Sequence, residues 1–272
     1  MDIGQIFNVL LNQPITNLLF ISYHILSSIG IPFALGFSII VLTILIRLII
    51  LPFTASQIRM SKKMQDMSPH LSAMKEKHKD DKKRQQEEMM KLYKEFGVNP
   101  AAGCLPVLIQ MPVIFSLYNV LNNVVHQITP DKLKEINNML YFDWMKVSKI
   151  WDVNFFGIPL AAIPSKDMGS MPFLLSVPII TGVLQLVLTK MMAPEIAPKQ
   201  TKNDDFQASF AKQSLFIFPI MIGFFSYTLP FGLSLYWNVF SIFGILQQYF
   251  QVGPGGLKQW IGKVQNRNEK SK

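Results

Sequence analysis

The chain has 272 residues, of which 50% are hydrophobic and only 16% charged, and its formal net charge is +9. That balance excludes an average soluble domain and suits a small polytopic membrane protein. The single cysteine, Cys104, excludes an intrachain disulfide and a cysteine-based zinc site; with no HExxH, P-loop, GxGxxG or GxSxG string, no metal or cofactor is expected.

The first 14 residues hold Asp2 and no Lys or Arg, so the start lacks the basic region of a conventional signal peptide. "NLLFISYHILSSIG" (17–30) is apolar with a polar stripe of Asn17, His24 and Ser28. It reads as a helix lying in the membrane interface, ended by Gly30 and Pro32. The alternative is one long tilted span over 17–53.

Five segments are apolar enough to cross a bilayer: 33–53, 104–125, 172–192, 214–229 and 231–250. Between the first two, Met60, Met64, Met67, Leu71 and Met74 recur at spacings of 4, 3, 4 and 3, and Met89, Tyr93 and Phe96 at 4 and 3. With the charged turn "HKDDKK" (78–83) between them, the two stripes predict an antiparallel helical hairpin over 54–103, broken or kinked at Pro69. The methionines are either the seam of that hairpin or an adaptable apolar surface for varied partners.

Charge sets the expected orientation. Residues 54–103 carry 11 Lys/Arg against 7 Asp/Glu, and 251–272 carry 5 against 1. Basic loops stay in the cytosol. The N-terminus (1–32) is therefore expected outside, with the hairpin, the 190–213 loop and the basic tail inside. The loop 126–171 lies outside, where Trp144 and Trp151 suit the interface. The domain plan is an outer N-terminus (1–32), a first span (33–53), the hairpin (54–103), a four-span remainder (104–250) and the tail (251–272).

Polar residues inside the spans fall in the cytosolic halves: Arg47, Gln110, Gln185, Ser241 and Gln248. Arg47 shares a helix stripe with Gly36, Thr43 and Thr54, and Ser234, Asn238, Ser241 and Gln248 form another. Such stripes face one another around polar space, because lipid does not satisfy them. No predicted span contains Asp or Glu, which argues against a proton relay or a cation-coupled transporter. Arg47 either snorkels to the inner surface or faces a wet cavity open to the cytosol, where a cation attracts acidic groups. Gln110 either bonds between helices or lines that cavity, and Trp237 is either an anchor or a ligand contact.

"KDDKKRQQEEMMKLYKEFGVNPAAGCLPVLIQMPVIFSLYNVL" (79–121) and "LPFGLSLYWNVFSIFGILQQYF" (229–250) closely resemble the YidC family of membrane protein insertases, which has mitochondrial and chloroplast relatives. The resemblance runs from about residue 15 to 250. It implies an all-α polytopic membrane protein with five transmembrane helices, an N-terminal interfacial helix and a cytosolic antiparallel helical hairpin. It further implies a bacterial plasma-membrane insertase and chaperone, not an enzyme, with a hydrophilic groove open to the cytosol and to lipid. Arg47 is implied to meet acidic or polar tails of nascent single- and double-spanning membrane proteins, with Gln110, Gln185, Trp237, Ser241 and Gln248 as further contacts. The hairpin surface at Met60, Met64, Met67 and Met74 is implied to capture substrates or their carriers. Expected partners are the lipid bilayer, the Sec translocon, the ribosome and the signal recognition machinery. The large extracytoplasmic domain of Gram-negative members and a lipoprotein-type cysteine are missing from the sequence, so the short bacterial type is expected. A small-solute transporter or channel is the main rival, supported by Asn119, Asn122 and Asn123; a purely structural assembly factor is the second.

Overall fold

The computed structural model describes residues 2–78, 81–98, 105–126, 129–148, 151–193 and 206–258. Most of the "GVNPAAGC" string, the loop after residue 193 and the tail beyond 258 lie outside them. In chain order the helices are α1 (Ile3–Phe7), α2 (Gln13–Ser28), α3 (Ala34–Ile49), α4 (Leu51–Lys77), α5 (Lys82–Glu95), α6 (Leu105–Val125), α7 (Pro130–Met139), α8 (Pro164–Asp167), α9 (Ser176–Met192), α10 (Phe206–Thr228) and α11 (Phe231–Val252). A two-stranded antiparallel hairpin, Asn154–Phe155 with Ile158–Pro159, precedes α8. A π-helical turn, Asn8–Asn12, joins α1 to α2.

The chain divides into two compact units. The first comprises residues 1–49, 107–182 and 221–241. Its core joins Leu19 and Phe20 of α2, Leu35, Ile39 and Leu42 of α3, Leu117, Leu121 and Val124 of α6, and Leu233 and Tyr236 of α11. The segment after α7 is fastened to α2. Asn17 Nδ2 donates to the Met139 carbonyl at 2.8 Å, its Oδ1 accepts from Tyr141 N at 2.7 Å, and His24 Nε2 lies 2.6 Å from the Met145 carbonyl.

Trp151, expected at the membrane interface, is a core residue instead. It is 4% exposed, packs edge-on to Phe20, and donates its indole N–H to the Val124 carbonyl at 2.9 Å. The same segment closes the start of α11, whose first-turn amides have no partner within the helix: Phe231 N donates to Ala162 O and Gly232 N to Leu160 O, both at 2.8 Å.

The second unit comprises residues 50–106, 183–220 and 242–272. Here α4 packs on α5 through Met67, Tyr93 and Val98, flanked by Met60, Met64, Met89, Leu92 and Phe96. α4 ends at Lys77 and α5 begins at Lys82, and Asp81 caps α5 by accepting from Arg84 N at 3.0 Å. The expected break at Pro69 is absent: α4 is one helix of 27 residues with Pro69 inside it. The interruption comes earlier. The segment predicted as a span to residue 53 stops being one helix at Ile50, because Pro52 cannot donate to a preceding carbonyl and fits only the first turn of a new helix.

The C-terminus of α9 is closed by side chains. Its last carbonyls lack helical partners, and Gln65 Nε2 reaches Met191 O at 3.3 Å and Ala193 O at 3.1 Å, while Ser61 donates to Met192 O. Gly255 lies against the same end at a φ of +50°, and a Cβ there would stand 2.1 Å from Met191 O. Only glycine fits both the conformation and the approach.

Among the described residues, Pro172–Met192 is the one helix long and apolar enough by itself to cross a membrane, and Ala34–Ile49 with Leu51–Met74 passes as a broken pair. Polar residues at 234, 238, 241, 247 and 248 dilute α11.

Candidate functional site: a buried arginine against one face of α11

Arg47 stands in the last turn of α3 and is 5% exposed. A snorkelling side chain would reach outward; this one is folded into the first unit. Its Nη2 donates to the Phe240 carbonyl at 2.6 Å, and its guanidinium carbon lies 3.4 Å from the centre of the Phe240 ring. A charge-assisted bond and a cation–π contact thus fall on one residue.

One helical turn earlier, Tyr236 is fully buried and accepts a hydrogen bond on its hydroxyl from Gln110 Nε2 at 2.9 Å. The Tyr236 and Phe240 rings are 5.6 Å apart. The spacing of four residues puts both on one face of α11, so α3 and α6 deliver Arg47 and Gln110 to neighbouring positions of a single aromatic stripe. Trp237 is buried and stacks on Phe225 at 6.3 Å with an interplanar angle of 11°, and Ser241 is also buried. The Oδ1 of Asn238 is a buried oxygen with no hydrogen-bond partner among the described residues. Nearby polar stripes close on themselves: Ser226 Oγ lies 3.1 Å from Thr181 Oγ and 2.8 Å from Ser234 Oγ.

Gln185 and Gln248 belong to the second unit. Gln185 Nε2 donates to Thr189 at 3.4 Å, and Gln248 Nε2 reaches Met191 O at 3.5 Å. Beside Gln248, Gln247 Nε2 donates to Thr54 Oγ1 at 2.8 Å. The hairpin methionines turn inward. Met67 is 2% exposed, Met60 and Met64 pack beside it, and Met74 lines a groove of about 300 Å³ with His70, Lys77, Glu88, Lys91 and Leu92. Met90 on α5 is the exposed methionine.

Sequence reasoning missed Phe240 and Tyr236. A backbone carbonyl carries no residue signature, and aromatic residues in an apolar span do not stand out. The repeat of an aromatic at positions 236 and 240 opposite a lone arginine was the available signal.

The family model of the 60Kd inner membrane protein matches residues 26–253. A membrane protein insertase YidC from Fusobacterium nucleatum is 33% identical over 220 residues, which cover 81% of this chain and 87% of that protein. The chain belongs to the YidC family of membrane protein insertases. A YidC from Streptomyces avermitilis is 33% identical over 228 residues, 80% of this chain and 51% of that one. The chain thus spans about half of that longer relative. A crystal structure described as an active YidC insertase with its first transmembrane domain resolved superimposes with a TM-score of 0.55 at 25% identity, over 88% of this chain and 46% of that one. The helical architecture is therefore YidC-like, and the family is one of bacterial inner-membrane proteins.

Proposed function

We propose that this chain is a membrane protein insertase and chaperone of the bacterial plasma membrane. The observation that carries the reading is Arg47, a permanent cation buried on α3 of a YidC-family chain and cradled by the carbonyl and ring of Phe240. An acidic tail entering from the cytosol competes with that carbonyl for the guanidinium. A carboxylate makes the stronger charge-assisted bond, and the aromatic face remains as a platform for the cation. Gln110, held by Tyr236, offers a neutral amide one turn away. Trp237, Ser241, Gln185 and Gln248 are proposed as further contacts along the substrate's path.

In this mechanism a hydrophilic groove lowers the desolvation cost of moving a short polar tail through the apolar layer. The substrate's own span then partitions into lipid. No bond is made or broken. Five spans, an outer N-terminus, an inner C-terminus and a cytosolic hairpin complete the proposal. Substrates are nascent single- and double-spanning proteins, and the Sec translocon, the ribosome and the signal recognition machinery are proposed partners.

The test is complementation. A bacterial host depleted of its own insertase receives the chain or its Arg47→Ala form, and insertion of a small protein with an acidic outer tail is followed. Rescue by the first alone is expected, with Arg47→Ala still folded by its thermal transition in detergent. Arg47→Lys is expected to retain insertion, because the step needs charge rather than the guanidinium fork. Equal insertion by the alanine form would remove Arg47 from the mechanism.

A further inference from the structure

The segment between α7 and α8 is rich in aromatic and aliphatic residues, and it presents some of its rings outward. Trp144 is 60% exposed and stacks on Phe142, itself exposed, at 6.3 Å and 17°. Phe156, at the tip of the β-hairpin, is 68% exposed. Neither plate is loose. Trp144 lies 6.0 Å from the ring of His24, which contacts the Met145 carbonyl on the same strap. Phe156 lies 5.1 Å from Phe33 and 6.1 Å from Phe37, at the start of α3. Its neighbour Phe155 fills the notch left by Gly36, where a Cβ would stand 2.1 Å from the ring.

The two plates therefore bracket the turn between α2 and α3, one reached through His24 and the other through Phe33. Ile25 of α2 and Ile29, which follows it, are exposed beside the turn. Phe33 and Phe156 both have positive φ, +56° and +49°, a region that bulky residues rarely occupy. Packing holds these rings in place against local preference. A charged pair adjoins them: Lys146 Nζ lies 2.6 Å from Asp143 Oδ1, both solvent-accessible.

Exposed Trp and Phe rings beside Ile side chains and an ion pair have the composition of a membrane–water boundary, where amphipathic rings settle at headgroup level. Water disfavours the rings, and the hydrocarbon centre disfavours the ion pair. We propose that residues 141–148 and 151–156 form a lipid-interface anchor that fixes the depth of α3. The helix runs 13 residues from Ala34 to Arg47, about 20 Å at 1.5 Å per residue. With the anchor at one boundary of a core about 30 Å thick, Arg47 is set about two-thirds of the way across. This depth role rests on the proposed use of Arg47; the lipid contact does not.

The experiment places nitroxides at Trp144→Cys and Phe156→Cys in a Cys104→Ser background, with the full chain in phosphatidylcholine–phosphatidylglycerol vesicles. Collision with oxygen is compared with collision with a water-soluble nickel chelate. Both labels are expected to sit at headgroup depth, with several-fold less nickel contact than a control label at Glu88→Cys. Nickel contact equal to that control overturns the anchor, as does shielding from both reagents, which would mean a protein partner. A label at the exposed Ile49→Cys reads the depth of α3. Removing both rings (Trp144→Ala with Phe156→Ala) is expected to shift or broaden its depth, and an unchanged depth overturns the ruler. Normal insertion by Arg47→Ala with labels 144 and 156 in lipid would defeat the proposed function and leave the anchor standing.

Discussion

The first unit and the hairpin solve the same problem, keeping helices together, with very different means. The first unit buries a contiguous cluster drawn from α2, α3, α6, α11 and the strap between α7 and α8, and closes several buried polar groups on named partners, Trp151 and Ser234 among them. Among the described residues, the cluster that joins the two helices of the hairpin is Met67, Tyr93 and Val98, under a surface of charge. A core of that size gives a low local stability, and segments that open or move are drawn from that end of the range. The contrast sets a densely packed frame, which holds Arg47 against Phe240, against a helical hairpin joined by a small cluster. The inward methionines fit this, since Met repacks at small cost.

The sharpest way to break the contrast is to excavate each core. Trp151→Ala removes a buried indole and strands the Val124 carbonyl, and is expected to cost about 3–5 kcal/mol, read as a lowered thermal transition of the whole protein in detergent. Met67→Ala is expected to cost about 2 kcal/mol, the low end for such truncations, because a thin core collapses into the space. Its effect should appear as faster proteolytic cleavage within 54–98, with the main transition unmoved. If Met67→Ala lowers the global transition as much as Trp151→Ala, the hairpin is not a separate arm.

A smaller change tests whether the frame holds the site by packing or by polar contacts. Tyr236→Phe keeps the ring against Phe240 and removes only the hydroxyl that accepts from Gln110. A loss of about 0.5–1.5 kcal/mol is expected, with insertion of acidic-tailed substrates retained, since Arg47 keeps its carbonyl and ring. A large loss of insertion at unchanged stability would assign Gln110 and Tyr236 a direct part in substrate contact.

What the sequence revealed follows the same division. Arg47 stood out as a lone charge amid Ile and Leu, though snorkelling and a wet cavity both fitted it, and the hairpin stood out because its apolar residues keep a 4–3 rhythm. Trp144 and Trp151 were inseparable. Seven residues apart in a polar loop, they carry no periodicity, and only folding buries one and exposes the other. Pro52 gave no separate signal within the apolar run, yet the helix is interrupted at Ile50, whereas Pro69 leaves α4 unbroken, because a proline's position in its helix turn, not its presence, decides whether the chain breaks. Gly255 gave no signal at all; its role depends on a carbonyl more than sixty residues away.

The finest test concerns charge on the arm. On α5 Lys91 Nζ lies 2.8 Å from Glu88 Oε1, both solvent-accessible. The bond and the charge of Lys91 hold the Glu88 carboxyl below its ordinary value, and Glu88 holds the Lys91 ammonium above its own. The depressed carboxylate contributes stability above its unfolded pKa of about 4.3 and loses it as pH falls through the lower folded value. The raised ammonium contributes below its unfolded pKa of about 10.4 and loses it as pH rises through the higher folded value. The pair therefore acts between those limits and fades outside them. It is exposed and screened by salt, so the effect is small. A nitroxide at Met90→Cys in the Cys104→Ser chain should be least mobile between those limits and loosen slightly on either side. Glu88→Gln should flatten the profile toward the looser level, and high salt should do the same. An unchanged profile in Glu88→Gln would show that the Glu88–Lys91 pair does not set the mobility at position 90.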